Sequence, residues 1–292
     1  MINVVYPFIK SKWDEIRYSL RSLEEHLEGE VRLFLISDYM LKWVRNINHI
    51  KSSRDMNPYK DTAQKLLLCM EELEDFVWMN DDTFFLKKTN INDIKNIKAL
   101  PEFPGLTCLT PWTTRLHMAV NELRKQRPNK PIYNFCTHAP YYFETEKLKE
   151  LICNVPHLLD RCSIETVYFN FYGPKEPEFT EEVLYITTSA SSRVKKVHRY
   201  INCNDIGLTD KVKNYLATRF NKPSMYETPG VEDDSEIIEP EVIEIDSILV
   251  KYTGKKKGYK FGEFDFSTGQ SLVPQLYAKY MMETYPQSFR RG

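Results

Sequence analysis

The 292-residue sequence has no Cys-x-x-Cys pair, no apolar run of membrane-span length and no surplus of one charge. Each absence closes a class. Six cysteines (Cys69, Cys108, Cys136, Cys153, Cys162 and Cys203) stand at wide, irregular spacings, which argues against a thiolate zinc site or a disulfide scaffold; reduced thiols in apolar surroundings are expected. Lys and Arg number 40 against 41 Asp and Glu, a net charge of −1, so no global field draws the chain onto nucleic acid and any such contact must come from a local patch. A spanning helix needs about 18 or more apolar residues in a row, and the opening MINVVYPFIKSKWDE lacks the charged-then-apolar order of a secretory signal. A cytoplasmic location is therefore the expectation. No internal repeat stands out.

Hydrophobic periodicity supplies the positive content. Ile2–Tyr6 reads as a short buried strand. A helix is expected from Asp14 to Leu27, because Ile16, Leu20, Leu23 and Leu27 recur on one face behind an Asp suited to capping. Val31–Ile36 is a second strand, Asp61–Leu73 a second helix with Ala63, Leu66, Leu67, Met70 and Leu73 on one face, and Phe76–Met79 a third strand. Strand, helix, strand, helix, strand within about 80 residues is the signature of an α/β fold with a mostly parallel sheet. Residues 101–140, rich in Pro, Thr and aromatics, read as long loops, and shorter helices are expected at Glu146–Ile152 and Asp210–Phe220. The composition changes near 229: residues 229–241 form an acidic linker bounded by Pro, and 242–292 a small C-terminal β/α module with a strand at Ile245–Lys251 and a helix at Val273–Tyr285. The 13% aromatic content suits a sugar- or base-handling protein or a Tyr-rich core.

The third strand ends abruptly in Asn80-Asp81-Asp82. Open α/β sheets bind ligands beyond the carboxyl ends of their strands, and adjacent aspartates are hard oxygen ligands for Mg2+ or Mn2+, which bridge diphosphate oxygens. Asn-Asp-Asp is equally at home in a plain surface turn, although the apolar strand before it and Phe84, Phe85 and Leu86 after it weigh against that.

The segment Met79-Asn-Asp-Asp-Thr-Phe-Phe-Leu86 resembles the metal-binding signature of GT-A-fold (Rossmann-like) glycosyltransferases, and in particular the Stealth family of sugar-phosphate transferases. Further pieces are similar to that family in order: Glu15–Leu23 to its opening helix, His138-Ala-Pro140 with Lys147–Leu151 to its His-x-Pro segment, and Asn204-Asp205 with Lys222–Glu227 to its closing segment. Together they span roughly residues 2–228. The resemblance implies a nucleotide-sugar donor, a UDP-sugar by expectation, and a Mn2+ or Mg2+ cofactor. It makes Asp82 the metal carboxylate, with Asp81 and Asn80 at the ribose or the ion, and Arg17, Lys60 and Asp61 as further donor-binding candidates. His138 becomes the general base toward a hydroxyl acceptor, and Asp205 or His198 a late third metal ligand.

Two chemistries follow. A glycosyltransferase releases a nucleoside diphosphate; a Stealth-like hexose-1-phosphate transferase releases the monophosphate. The first is the reading adopted. The C-terminal stretch from Val273 to Phe289 is similar to segments that end some phage-encoded proteins, which would make a hydroxymethylated DNA base an acceptor and let Lys255–Lys257, Tyr259 and Phe261 touch its backbone. A solvated basic turn is the competing reading. A non-catalytic module that binds DNA or glycan is the rival of another class.

Overall fold

The computed structural model describes residues 1–9, 13–55, 57–104, 110–155, 158–187 and 194–231. The expected linker beyond 231, the C-terminal module and its Lys255–Lys257 turn lie outside the described residues. The fold is α/β, a mostly parallel five-stranded sheet plus a small mixed three-stranded sheet.

The main sheet contains β1 (Ile2–Pro7), β2 (Val31–Ser37), β3 (Asn48–Lys51), β4 (Asp75–Trp78) and β6 (Tyr141–Glu144) in the order β3-β2-β1-β4-β6. All neighbours are parallel except β4 and β6. Alternation along each strand divides the core in two. Val4, Tyr6, Leu33, Leu35, Val77 and Met79 face α1 (Glu15–His26), while Val5, Phe34, Ile36, Phe76 and Trp78 face α2 (Pro58–Glu72) and further helices. Both faces are covered, as a parallel sheet requires.

Helix α1 occupies the expected span, with Asp14 at the cap position, but the Asp14 carboxylate takes Arg17 Nε at 2.7 Å instead of a backbone cap bond. Helix α2 starts three residues earlier than expected, because Asn57 accepts the N–H groups of Tyr59 and Lys60 and Pro58 presets the first turn. In place of continuous loop, residues 111–126 form helix α4 (Pro111–Gln126), preceded by the short α3 (Ile91–Lys95). Thr110 and Thr113 close a capping box on α4 with Pro111 at its first position, and only Leu116, Ala119 and Leu123 supply an apolar stripe. The following helices are α5 (Thr145–Asn154), α6 (Leu158–Arg161) and α7 (Ile164–Tyr172).

The small sheet joins β5 (Thr83–Phe85), β8 (Tyr200–Cys203) and β7 (Val183–Ile186), and α8 (Asp210–Arg219) follows it. Serines on α1 complete the free side of β5: Ser19 Oγ donates to the Thr83 carbonyl at 2.6 Å, and Ser22 Oγ accepts the Phe85 N–H at 3.0 Å. Their small size lets the helix approach this closely. No helix among the described residues is long and apolar enough to cross a membrane, and the described cysteines (Cys69, Cys136, Cys153, Cys162 and Cys203) carry free thiols.

Candidate functional site

Strand order reverses at β1: β2 and β3 build outward on one side, β4 on the other. The crevice outside the carboxyl ends of β1 and β4 is thus the topological switch point of the sheet. Asn80-Asp81-Asp82 leaves β4 there and passes directly into β5, so the turn also joins the two sheets.

Bonds from four directions fix it. Met79 N–H donates to the Val5 carbonyl (2.9 Å) and Thr83 N–H to the Asn80 carbonyl (3.2 Å). Cys203 N–H reaches the Asp82 carbonyl at 3.2 Å. The Asn202 amide donates to Asp82 Oδ1 (2.7 Å) and Thr83 Oγ1 (2.8 Å). Asn202 is 1% exposed, so its orientation is set by packing.

The electrostatics at the pair disfavour ionised carboxylates. Burial pushes both carboxyls above the ordinary carboxylate range; for Asp81 the neighbouring Asp82 and Glu15 add to this, with Lys65 opposing. For Asp82 the Asn202 bond opposes burial, while Glu15 and Asp205 raise it further. Lys65 is itself buried, its Nζ 2.7 Å from Asp61 and donating to the Phe8 carbonyl at 2.8 Å. Like charges held together against their preference are typical of functional sites.

Asp205 comes to this edge on the turn after β8. Asn204 N–H bonds the Ile186 carbonyl, and Asn204 Oδ1 accepts the Gly207 N–H. A Cβ on Gly207 would lie 1.9 Å from the Ile186 oxygen; only glycine permits this seating. Asp205 is exposed at the tip.

His138 adopts φ 56°, a left-handed conformation unusual outside glycine, and its N–H donates to Tyr141 Oη at 2.9 Å. Its ring stacks on Tyr185 (centroids 4.3 Å, 14°) and on Trp112 (5.8 Å, 27°). Burial lowers the imidazole pKa from 6.5, with Glu165 opposing, so the ring is neutral at pH 7. No hydrogen bond from a described residue engages either ring nitrogen. Tyr185, stacked on this ring, is registered across β7 and β8 with Asn202, whose amide holds Asp82.

The structure therefore gathers Asn80, Asp81, Asp82 and Asp205, with His138 joined to them through Tyr185. The remaining candidates are placed differently, Asp61 reaching the Asp pair through Lys65. Arg17 pairs with Asp14 and Glu227 and lies 4.1 Å over the Trp43 ring. Lys60 is exposed at the start of α2, and Asp61 is committed to Lys65. His198 lies before β8 in a turn, its N–H on the Lys195 carbonyl and its Nδ1 accepting the Lys195 N–H. Sequence reasoning passed over Glu15, Lys65, Asn202 and Tyr185. The signals were a lone Lys on the apolar stretch of α2 and a lone Asn inside the strand Tyr200–Cys203.

Among the described residues, no three His, Cys, Asp or Glu side chains converge as a metal cage. Two adjacent carboxylates nonetheless fit Mg2+ or Mn2+ of the kind held by one or two carboxylates plus substrate phosphates. A crevice of about 330 Å3, open to solvent, is bordered by Asp93, Lys98, Glu182 and Tyr200 and by Thr137, Ala139 and Pro140 on either side of His138; its Lys98 is paired with Glu182 at 2.9 Å. No protein-family model and no curated protein matches the sequence.

Proposed function

We propose that this protein is a metal-dependent glycosyltransferase that moves a sugar from a nucleotide-sugar, a UDP-sugar by preference, to a hydroxyl acceptor. The observation that carries the reading is the placement of Asp81 and Asp82: two half-buried, adjacent carboxylates at the switch point of an open α/β sheet. The strand order and the antiparallel β6 suit the GT-A resemblance. The motif pieces also contact one another: Arg17 and Arg21 of the opening helix hold Glu227 of the closing segment, and Ser19 holds Thr83 beside the Asp pair.

Asp82, with Asp81, would hold Mn2+ or Mg2+, and the ion when bound supplies positive charge against the departing diphosphate. Asn202 keeps the Asp82 carboxylate aimed. In the transfer, the acceptor oxygen bonds to the anomeric carbon while the bond from that carbon to the diphosphate oxygen breaks. The hydroxyl proton passes to a ring nitrogen of His138, and the nucleoside diphosphate leaves.

The ordered motif pieces keep a second reading open, a Stealth-like phosphotransferase in which the acceptor attacks the sugar-proximal phosphorus and the monophosphate leaves. A non-catalytic binding module is less well supported, because the carboxylate pair costs stability that a passive binder has no reason to spend. Asp82→Ala is the test: metal-stimulated nucleotide release is expected to fall at least about a hundredfold, with a thermal melt confirming that the variant is folded. Undiminished release from the clean variant would refute the assignment.

A further inference from the structure

The chain enters β8 through a tip of consecutive exposed residues, Val194-Lys195-Lys196-Val197. Val194 and Val197 are each 43% exposed. His198, 7% exposed, staples the tip from beneath: its N–H donates to the Lys195 carbonyl at 3.1 Å, and its Nδ1 accepts the Lys195 N–H at 2.9 Å. The turn after β5 lies against it. Lys87 Nζ donates to the Val197 carbonyl at 3.2 Å, and Lys88 Nζ to the Glu25 carbonyl at 2.7 Å. Carbonyls carry no formal charge, so these bonds leave the ammonium charges uncompensated. Among the described residues no carboxylate forms an ion pair with Lys87, Lys88, Lys195 or Lys196, whereas the neighbouring Arg199 and Arg219 are paired with Asp93 and Glu25. The excess is felt at His198, where burial and then Lys195 and Lys87 lower the imidazole pKa, with Glu181 at the flank opposing.

We propose that this tip docks the protein on an anionic bilayer, with Val194 and Val197 at the acyl boundary and Lys87, Lys88, Lys195 and Lys196 at the lipid phosphates. The combination of residue types selects the partner. Lysines close to an anionic leaflet are attracted to it within a Debye length. Aliphatic side chains gain by leaving water for the boundary between headgroups and acyl chains. A nucleic-acid duplex would answer the lysines but hold both valines against a phosphate backbone, and the tip carries no aromatic ring on which a single-stranded base could stack. The attraction is local, because the whole chain has a net charge of −1. Strand β8 runs from the tip to Asn202, which holds Asp82, so docking here orients the carboxylate edge relative to the bilayer. The membrane surface is independent of the transferase reading and stands or falls without it.

The test is flotation of the full chain with vesicles of phosphatidylcholine, alone or mixed with phosphatidylglycerol, beside a titration with duplex DNA. Wild type is compared with Lys195→Glu/Lys196→Glu, with Val194→Ser/Val197→Ser, and with Lys125→Glu/Lys130→Glu, which matches the first pair in net charge but lies on α4 and the turn after it. All the substituted side chains are exposed, and thermal melts confirm that each variant is folded. Wild type is expected to float with the mixed vesicles and not with phosphatidylcholine alone. The lysine pair at the tip should weaken capture at least about tenfold, the valine pair at least about threefold, and the matched pair less than about twofold. No capture by the mixed vesicles, an equal loss in the matched pair, or capture undiminished in either tip variant overturns the proposal. So does lysine-dependent binding of the duplex without capture by vesicles, which would make the tip a nucleic-acid surface.

Discussion

Glu227 ties the end of the described chain to α1, and its removal has a calculable cost. The carboxylate is 3% exposed and accepts from Arg21 Nε (2.7 Å) and Nη2 (2.6 Å), Arg17 Nη1 (3.0 Å), and Ser224 N (2.7 Å) and Oγ (3.1 Å). Glu227→Ala leaves two guanidiniums, 12% and 13% exposed, without their shared counter-charge. Breaking a buried pair from one side costs about 3–5 kcal/mol, and Arg17 keeps Asp14, so about 3 kcal/mol is expected. Urea unfolding would show a lower midpoint at unchanged slope. The pH dependence carries a sign. Burial alone would raise the Glu227 pKa, but the bonds from Arg21, Ser224 and Arg17 outweigh it and hold the carboxyl below its ordinary 4.5. Its contribution is therefore fully present above pH 4.5 and lost as pH falls through the lower folded value. The stability gap between wild type and Glu227→Gln should narrow toward pH 3. A loss below about 1 kcal/mol in Glu227→Ala, or a gap that stays constant from pH 6 to 3, would refute the reasoning.

Gly207→Ala forces a Cβ against the Ile186 carbonyl and should cost about 1–3 kcal/mol in thermal or urea unfolding, with the turn bearing Asp205 displaced; a neutral result contradicts the seating. His138→Asn should lower kcat about 10²- to 10⁴-fold, and in wild type the acid limb of kcat/KM should fall below pH 6.5, because burial lowers the imidazole. Asp82→Asn removes a carboxylate whose charge is disfavoured by desolvation and by Glu15 and Asp205, so the metal-free protein at pH 7 should melt higher, by about 1 kcal/mol of added stability, even as metal-dependent release disappears.

Three strands of the main sheet were legible because their information is local, whereas β3 and β6, four residues each, were not read. The 3.6-residue periodicity of α1 and α2 and the apolar runs of β1, β2 and β4 locate the carboxyl edge, and with it Asn80-Asp81-Asp82. Strands β5 and β8 have three and four residues, too short for a pattern, and they pair only because Asn202 comes back across 119 residues to Thr83. For the same reason the distant partner of Arg17 was invisible: Glu227 lies 210 residues away, and helix periodicity places an arginine on a face without saying what meets it. Helix α4 was masked by Pro and Thr, which read as loop but act here as its cap. Tyr185 lies in a four-residue strand that carries no pattern of its own, and only the stack on His138 distinguishes it.

Nucleotide release from a panel of sugar nucleotides with Mn2+ or Mg2+, scoring diphosphate against monophosphate, tests the central claim most directly. The account predicts metal-dependent release of a nucleoside diphosphate, accelerated by acceptor and abolished in Asp82→Ala. Monophosphate as the product would replace glycosyl transfer by phosphotransfer, and no release from any donor would contradict the assignment of the Asp81–Asp82 edge as a transferase centre.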